Sequence, residues 1–435
     1  MTRVRRPQIS QPTESDPESG SGGARTAKVK MSSNSDKLRI VHVADYVMPT
    51  MGYQEFALAK WNVLHGHEVH VITGDRYTPV PDYEHTWEPL LGSRIVETGV
   101  GAVDGVAIHR IPCALEFRRR IWLSGLGQKI DSLSPDVVLC HGTTSPLAFA
   151  LPSICRKLRI PLIMDNHMAF VAQRTGALGK VYYSALRMLT RLKLNDHVCC
   201  FLGVSQESCD FMIQEQAIPP EKVQLLDIGV DTDLFRPDDS ARLKVRSQYD
   251  IPAGATIVMQ TGKLTRDKSP HWLTEAMAPI MKQDPNIWLV FVGAAPSDYL
   301  DEIMRPIHQH QVTDRLRFIP LVPVHDLISI YNMADVCVYP DASSLSCMEA
   351  AACGRPVIVT DLPWGRSRQE AGATLCYKTG DTADLRCRVK ELISDPDARQ
   401  RTGQRARRAV LESYSYDVIA FRLESLMRQA IADSL

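Results

Sequence analysis

The sequence predicts an α/β protein of two Rossmann-like, doubly wound domains that face a central cleft. Three observations carry this expectation. The ordered part opens with strand, helix and strand inside about 35 residues, one βαβ unit. Apolar strand-length runs then keep alternating with helical segments, the order of a parallel sheet. Finally, the whole pattern restarts half-way along the 435 residues, and such a length accommodates two or three domains.

Each element follows from local chemistry. Leu38-Arg-Ile-Val-His-Val-Ala44 is a short β-rich run that reads as a buried first strand. A loop with Pro49 and Gly52 follows, then a helix from Gln54 to Leu64, closed by Gly66. Glu68–Thr73 is the second strand. Asp136–Cys140, Pro161–Met164, Val198–Val204 and Val223–Asp227 read as further strands, with helices over 145–158 and 206–216 and Ser205 as the N-cap of the second. Asp238–Tyr249 is polar and helical. New strands are expected at Thr256–Gln260, Trp288–Val292, Leu316–Ile319, Val336–Tyr339 and Pro356–Val359. The expected organisation is a disordered tail over 1–37, domains over 38–235 and 236–417, and a last helix over 418–435. Ser, Gly, Pro, Glu and Asp dominate the tail and cannot bury enough apolar surface to offset ordering. Met31 is an alternative start.

Composition narrows the function. Lys plus Arg and Asp plus Glu each number 50, so there is no basic surplus of the kind that drives nucleic-acid binding. No run of 18 apolar residues marks a membrane span. The 11 cysteines contain no Cys-x-x-Cys pair and sit mostly in apolar company, the usage of a reducing, cytoplasmic compartment. No His or Cys cluster has metal-ligand spacing, so neither a metal nor a cofactor is expected. Asp231-Thr-Asp233 is weighed as a metal-diphosphate motif and read as an Asp-capped turn beside the linker.

Four motifs stand at strand ends, where ligands of open α/β sheets bind. Thr261-Gly262-Lys263-Leu-Thr-Arg-Asp-Lys268 places two cations on one loop, an arrangement that suits a diphosphate. Asp341-Ala-Ser343-Ser344-Leu345-Ser346-Cys-Met-Glu349 leads into a helix whose first turn offers hydroxyls and free N–H groups to a phosphate. Glu349, one turn further in, is suited to a ribose diol. Gly52 opens a helix start that can approach a sugar or phosphate, but the pattern is not G-x-G-x-x-G, which disfavours a nicotinamide enzyme. His141-Gly142 and Asp165-Asn166-His167 close two neighbouring strands, so either histidine is placed to orient or deprotonate a hydroxyl.

Taken together, the Gly52 loop, His65–Thr73, Gly203-Val-Ser205, Gly229–Pro237, Gly262–Lys268, Ala334–Pro340 and Glu349–Ile358 resemble the GT-B glycosyltransferases of the large retaining family 4 group. The resemblance covers about 38–430. It implies a nucleotide-sugar donor on the second domain and a hydroxyl acceptor on the first. Lys268 is similar to the family's diphosphate lysine, and Lys263 stands where arginine is more common. Glu349 is similar to the second acid of the E-x7-E motif. Asp341 stands for the first, one methylene shorter, and Ala342-Ser343-Ser344 replaces Gly-Phe-Gly. The implied chemistry is metal-independent retaining transfer by front-face attack, with the departing phosphate taking the acceptor proton. Asp341 or Glu349 as covalent nucleophile is the weaker alternative. A nucleotide-sugar epimerase and a non-catalytic nucleotide-sugar-binding partner are the rival functions.

On the acceptor side, residues 113–195 carry 12 Lys/Arg against four Asp/Glu. Within them, residues 117–126 mix arginines with Phe117, Ile121, Trp122 and Leu126. A basic amphipathic surface docks on anionic lipid. Peripheral contact with the inner membrane face, and a lipid-linked or surface-glycan precursor as acceptor, follow as expectations.

Overall fold

The computed structural model describes residues 37–80, 82–117, 119–168, 176–341 and 345–434. The stretch expected to be a disordered tail lies, up to residue 36, outside them. So do Arg118, Ser343 and Ser344.

Two sheets organise the described chain. The first contains β1 (Arg39–Ala44), β2 (Glu68–Gly74), β3 (Gly99–Val103), β4 (Val106–Ile111), β7 (Val137–His141), β8 (Leu162–Asn166), β9 (Cys200–Gly203) and β10 (Val223–Leu225). Between β4 and β7 lies a separate hairpin of β5 (Cys113–Phe117) and β6 (Arg120–Leu123). The strand order of the first sheet is β10-β9-β8-β7-β1-β2-β4-β3. All its pairs are parallel except β3 on β4, an antiparallel edge. The second sheet is wholly parallel, in the order β13-β12-β11-β14-β15-β16. Its strands are β11 (Thr256–Thr261), β12 (Ile287–Val292), β13 (Leu316–Ile319), β14 (Val336–Tyr339), β15 (Val357–Thr360) and β16 (Leu375–Tyr377). The β3 edge strand and the β5–β6 hairpin depart from the uninterrupted parallel order that the sequence predicts.

Side-chain alternation explains why each sheet is covered on both faces. In β1, Val41 and Val43 point to one side and pack with Leu147, Leu151 and Cys155 of the helix Pro146–Leu158. Ile40 points to the other and meets Leu58 and Trp61 of the helix Gln54–Leu64. The same face receives Ile419, Leu423 and Met427. These come from the final helix, Tyr416–Ala432, whose N-terminus is capped by the Ser415 hydroxyl. The chain therefore ends on the first sheet after building the second.

The backbone passes between the two sheets twice, once after β10 and once before the final helix. The two crossings touch. Val230 N–H donates to the Tyr414 carbonyl at 2.8 Å, and Tyr416 N–H donates to the Val230 carbonyl at 3.0 Å. Next to them, Gly229 lies so close to the Tyr416 ring that a Cβ would stand 2.3 Å from it. Asp231 Oδ1 accepts from the N–H groups of Asp233 and Leu234, the capped turn expected of that segment.

One buried ionic cluster ties the second domain together. Asp335, just ahead of β14, accepts from Arg246 at 2.8 Å, from Arg242 at 2.6 Å and from the Ile257 N–H at 2.8 Å. The Arg246 side chain is 1% exposed. It also donates to the carbonyls of Met333, Ala253 and Ala255.

Candidate active site

The second-domain site is assembled from the ends of β11 and β14. Gln260, Thr261, Gly262, Lys263, Lys268, Tyr339 and Asp341 line one small cavity. Gly262 is needed there on backbone grounds. Its φ of +112° is one that side chains disfavour. Its carbonyl also lies 2.0 Å from where a Cβ on Gly293 would stand, so the β11 and β12 ends meet glycine on glycine. The chain then turns through Arg266–Lys268 into the helix Pro270–Gln283. This brings Lys268, half-buried, back beside Lys263, which is exposed. Burial is the main influence lowering the Lys268 ionisation and Lys263 adds to it, while Asp267, Cys347 and Asp341 oppose it. Asp341 accepts from the Ser269 hydroxyl at 3.3 Å.

Glu349 is buried, not a solvated helix carboxylate. It sits in the helix Leu345–Ala352 and accepts from the Tyr331 hydroxyl at 2.7 Å. Burial pushes its ionisation up to about 7, against the pull of the Tyr331 hydrogen bond. Thr261 contacts both Tyr331 and Tyr339 through its hydroxyl, and Tyr339 donates to the Ser346 carbonyl at 2.8 Å. One hydroxyl network thus connects the Gly262 loop to Ser346 and Glu349. Ser346 Oγ comes to 3.8 Å of the Cβ position of Gly262. Leu345 and Ser346 open the helix; Ser343 and Ser344, expected beside them, fall outside the described residues. Gly52 lies in the first domain but faces the second: a Cβ on it would stand 3.8 Å from Val324 Cγ2.

The first-domain histidines are not equivalent. His141 ends β7 with its side chain 2% exposed, whereas the His167 side chain, just past β8, is 34% exposed. Asp165 lies between them. It accepts from His141 Nδ1 at 2.6 Å and from the Gly142 N–H at 3.1 Å, and its other contact, His167 Nε2, is 3.7 Å away. Burial opposes the His167 charge, but the Asp165 carboxylate overrides it and holds the ionisation at about 9. The Asp165 carboxylate thus favours the charged form of the His167 ring. The His167 ring, at the crevice end of the pair, is the more accessible of the two to an acceptor hydroxyl.

Residues 56–234 match Glycosyltransferase Family 4, and residues 241–409 match Glycosyl transferases group 1. The chain belongs to the GT-B glycosyltransferases. Curated relatives include D-inositol 3-phosphate glycosyltransferases of Segniliparus rotundus, 27% identical over 66% of this chain, and of Corynebacterium glutamicum, 27% identical over 78%. The matches span 65% and 82% of those relatives' own lengths, so the first falls just short of two thirds. The fold is similar to that of sucrose-phosphate synthase from Thermosynechococcus elongatus (TM-score 0.65, 18% identity, 91% of this chain and all of that one). It is also similar to Anabaena HepE in complex with UDP (TM-score 0.67, 16% identity, 90% and 100%).

In this glycosyltransferase the motif residues at the β11 and β14 ends converge, while His141, His167 and Gly52 belong to the facing domain. Sequence reasoning missed Tyr331 as the partner of Glu349 and Thr261 as the link between Tyr331 and Tyr339, and missed the buried His42, Asn62 and Glu424 altogether. A histidine inside an otherwise apolar buried strand was the available signal for His42. Among the described residues, no group of three or more His, Cys, Asp or Glu is placed to hold a metal ion, and no helix is long and apolar enough to cross a membrane.

The raised Glu349 ionisation has a stability consequence. A carboxyl whose folded value exceeds its unfolded one contributes stability below about pH 4.5 that is lost as pH rises through 7. Glu349→Gln is expected to match the unliganded wild type near pH 4 and to exceed it by up to about 3 kcal/mol at pH 8 to 9. Urea unfolding at the two pH values checks this; a difference independent of pH overturns it.

Proposed function

We propose that this glycosyltransferase moves a sugar, with retention of configuration and without a metal ion, from a nucleoside-diphosphate sugar to a hydroxyl of a lipid-linked or surface-glycan precursor. The observation that supports this reading is the convergence of Lys263, Lys268, Asp341 and buried Glu349 at the ends of β11 and β14. Two cations near the Ser346 hydroxyl fit a diphosphate. A buried carboxylate one turn away fits the ribose diol. The bond from the anomeric carbon to the diphosphate oxygen breaks as the acceptor oxygen bonds to the same face of that carbon. The acceptor proton passes to the departing phosphate. Lys263 and Lys268 stabilise the charge growing there. His167 orients the acceptor from the facing domain.

The membrane-facing part of the reading draws on the β5–β6 hairpin. Leu115, Phe117 and Trp122 are exposed on it. Arg119 is exposed there, while Arg120 turns inward, donating to Thr144 at 3.0 Å and standing 3.9 Å from Asp45. Glu116 on the same strand is taken up by Arg94, Arg76 and Tyr46, which leaves the outer face apolar and basic.

The test is a thermal-shift panel of nucleoside diphosphates and nucleotide sugars, with magnesium and with a chelator. A ligand at a hundred times its Kd adds about 2.7 kcal/mol. A shift with one nucleotide, unchanged by the chelator, is the expected result. No shift with any nucleotide overturns the donor site, and a shift that needs magnesium overturns metal independence. Nucleoside diphosphate released in proportion to an added acceptor, inositol 3-phosphate or a phosphatidylinositol vesicle, separates transfer from epimerisation and from a binding-only role.

A further inference from the structure

A buried hydrogen-bonded chain runs from the final helix, through the helix Gln54–Leu64 and across β1 and β7, to Asp165. Its links are Glu424 Oε1 to Asn62 Nδ2 at 2.6 Å, Asn62 Oδ1 to His42 Nε2 at 3.1 Å, His42 Nδ1 to His141 Nε2 at 3.0 Å, and His141 Nδ1 to Asp165 Oδ2 at 2.6 Å. Glu424, Asn62, His42, His141 and Asp165 are all buried.

The ends of this chain decide its interior. Glu424 and Asp165 are carboxylates, and an ionised carboxylate only accepts. The Glu424 carboxylate is further held by His65 Nδ1 at 2.9 Å, with His67 Nε2 at 3.5 Å; His65 reaches Asp417 at 3.0 Å on its other nitrogen. A chain with an acceptor at each end must contain one member that donates in both directions. Asn62 cannot be that member, because its N–H is committed to Glu424 and its carbonyl faces His42. One of the two histidines therefore carries two ring protons. The Asp165 carboxylate assigns them to His141. His42 has only the neutral Asn62 carbonyl for its Nε2–H, and burial first, then His141, drives its ionisation down to about 3.

We propose that Glu424, Asn62 and His42 are positioning residues that force a doubly protonated His141 beneath Asp165, so that seating the final helix on the first domain sets the charge that Asp165 presents to His167. His141 is then itself a positioning residue, and His167 is the group at the crevice. Asp165 holds His167 by the oxygen that also accepts from Gly142. The other charge facing His167 is Glu55, on the helix Gln54–Leu64. The functional weight of this device rests on the acceptor-side reading of His167, but its chemistry does not.

Histidine imidazole ¹⁵N and ¹H NMR on the full chain, without any substrate, tests it. Wild type is expected to show His141 protonated on both nitrogens and His42 protonated on Nε2 alone, near neutral pH. Either a singly protonated His141 or an Nδ1-protonated His42 overturns the proposal, and this arm needs no variant. Glu424→Gln supplies the second arm. With the amide oxygen turned to His65 and its N–H to Asn62, Asn62 flips and the three links from residue 424 to His141 reverse, while His141 still donates to Asp165 and so sheds one proton. Its lost charge leaves Asp165 to act on His167 alone, and the His167 titration midpoint is expected to rise by about half a unit or more. An unmoved His167 midpoint with unchanged His141 protonation overturns the coupling. Failure of every nucleotide in the thermal-shift panel, with these NMR outcomes met, would discard the donor reading and leave the chain standing.

Discussion

Lys268→Ala is expected to lower turnover by about 10²–10³-fold, the usual loss when one preorganised charge is removed from a developing anion. Release of nucleoside diphosphate at saturating donor is the measurement. Lys268 closes the short turn that leaves β11, and the turn is anchored by main-chain atoms that alanine keeps. Gln260 Nε2 donates to the Lys268 carbonyl at 3.3 Å, and the Lys268 N–H donates to the Thr265 carbonyl at 2.9 Å. Truncation therefore removes the ammonium and leaves the loop. The urea midpoint should stay at the wild-type value, which separates loss of charge from loss of fold. Lys263 is exposed and works at a higher effective dielectric, so Lys263→Ala should cost less. Equal losses at both positions, or undiminished turnover in Lys268→Ala, would contradict the assignment.

The second large effect concerns stability. Asp335→Asn keeps the shape of the side chain but strips the charge that compensates Arg246 and Arg242. An uncompensated buried guanidinium costs about 3–5 kcal/mol. Urea unfolding followed by tryptophan fluorescence is the check, since Trp288 lies in the same core as Val245 and Ala334. Replacing Arg246 by Met together with Asp335 by Asn should recover part of the loss, because it removes the stranded charge along with its partner. A loss below about 1 kcal/mol, the value of an exposed pair, would mean that water reaches the cluster.

How far these features can be read without coordinates depends on where the partner lies. β1, β2, β11 and β12 are visible as apolar runs because burial on both faces leaves no other composition. β3 is not: Gly99-Val-Gly-Ala-Val103 is an exposed edge with two glycines, and an edge does not need a buried pattern. The β5–β6 hairpin hides for another reason. Its turn is taken by Arg119 at φ +65°, so none of the Asn-Gly or Gly-Gly signals of a tight hairpin is present. What remained visible was its mixture of arginines and apolar residues. Lys263, Lys268 and Glu349 are legible because their spacing along the chain reflects one turn and one helix start. Tyr331 and Glu424 are not, because what matters there is a contact across 18 and 362 positions, and nothing local encodes it.

The touching crossings at Val230 and Tyr416 bear on how the cleft can open. Two independent tethers would allow the domains to slide apart or twist about separate points. Here the tethers are fastened to each other by two main-chain hydrogen bonds, so an opening that keeps both bonds is expected to turn about that point. Displacement grows in proportion to distance from Val230. The same small rotation leaves the residues beside the pivot almost in place and carries the far rim of the cleft furthest.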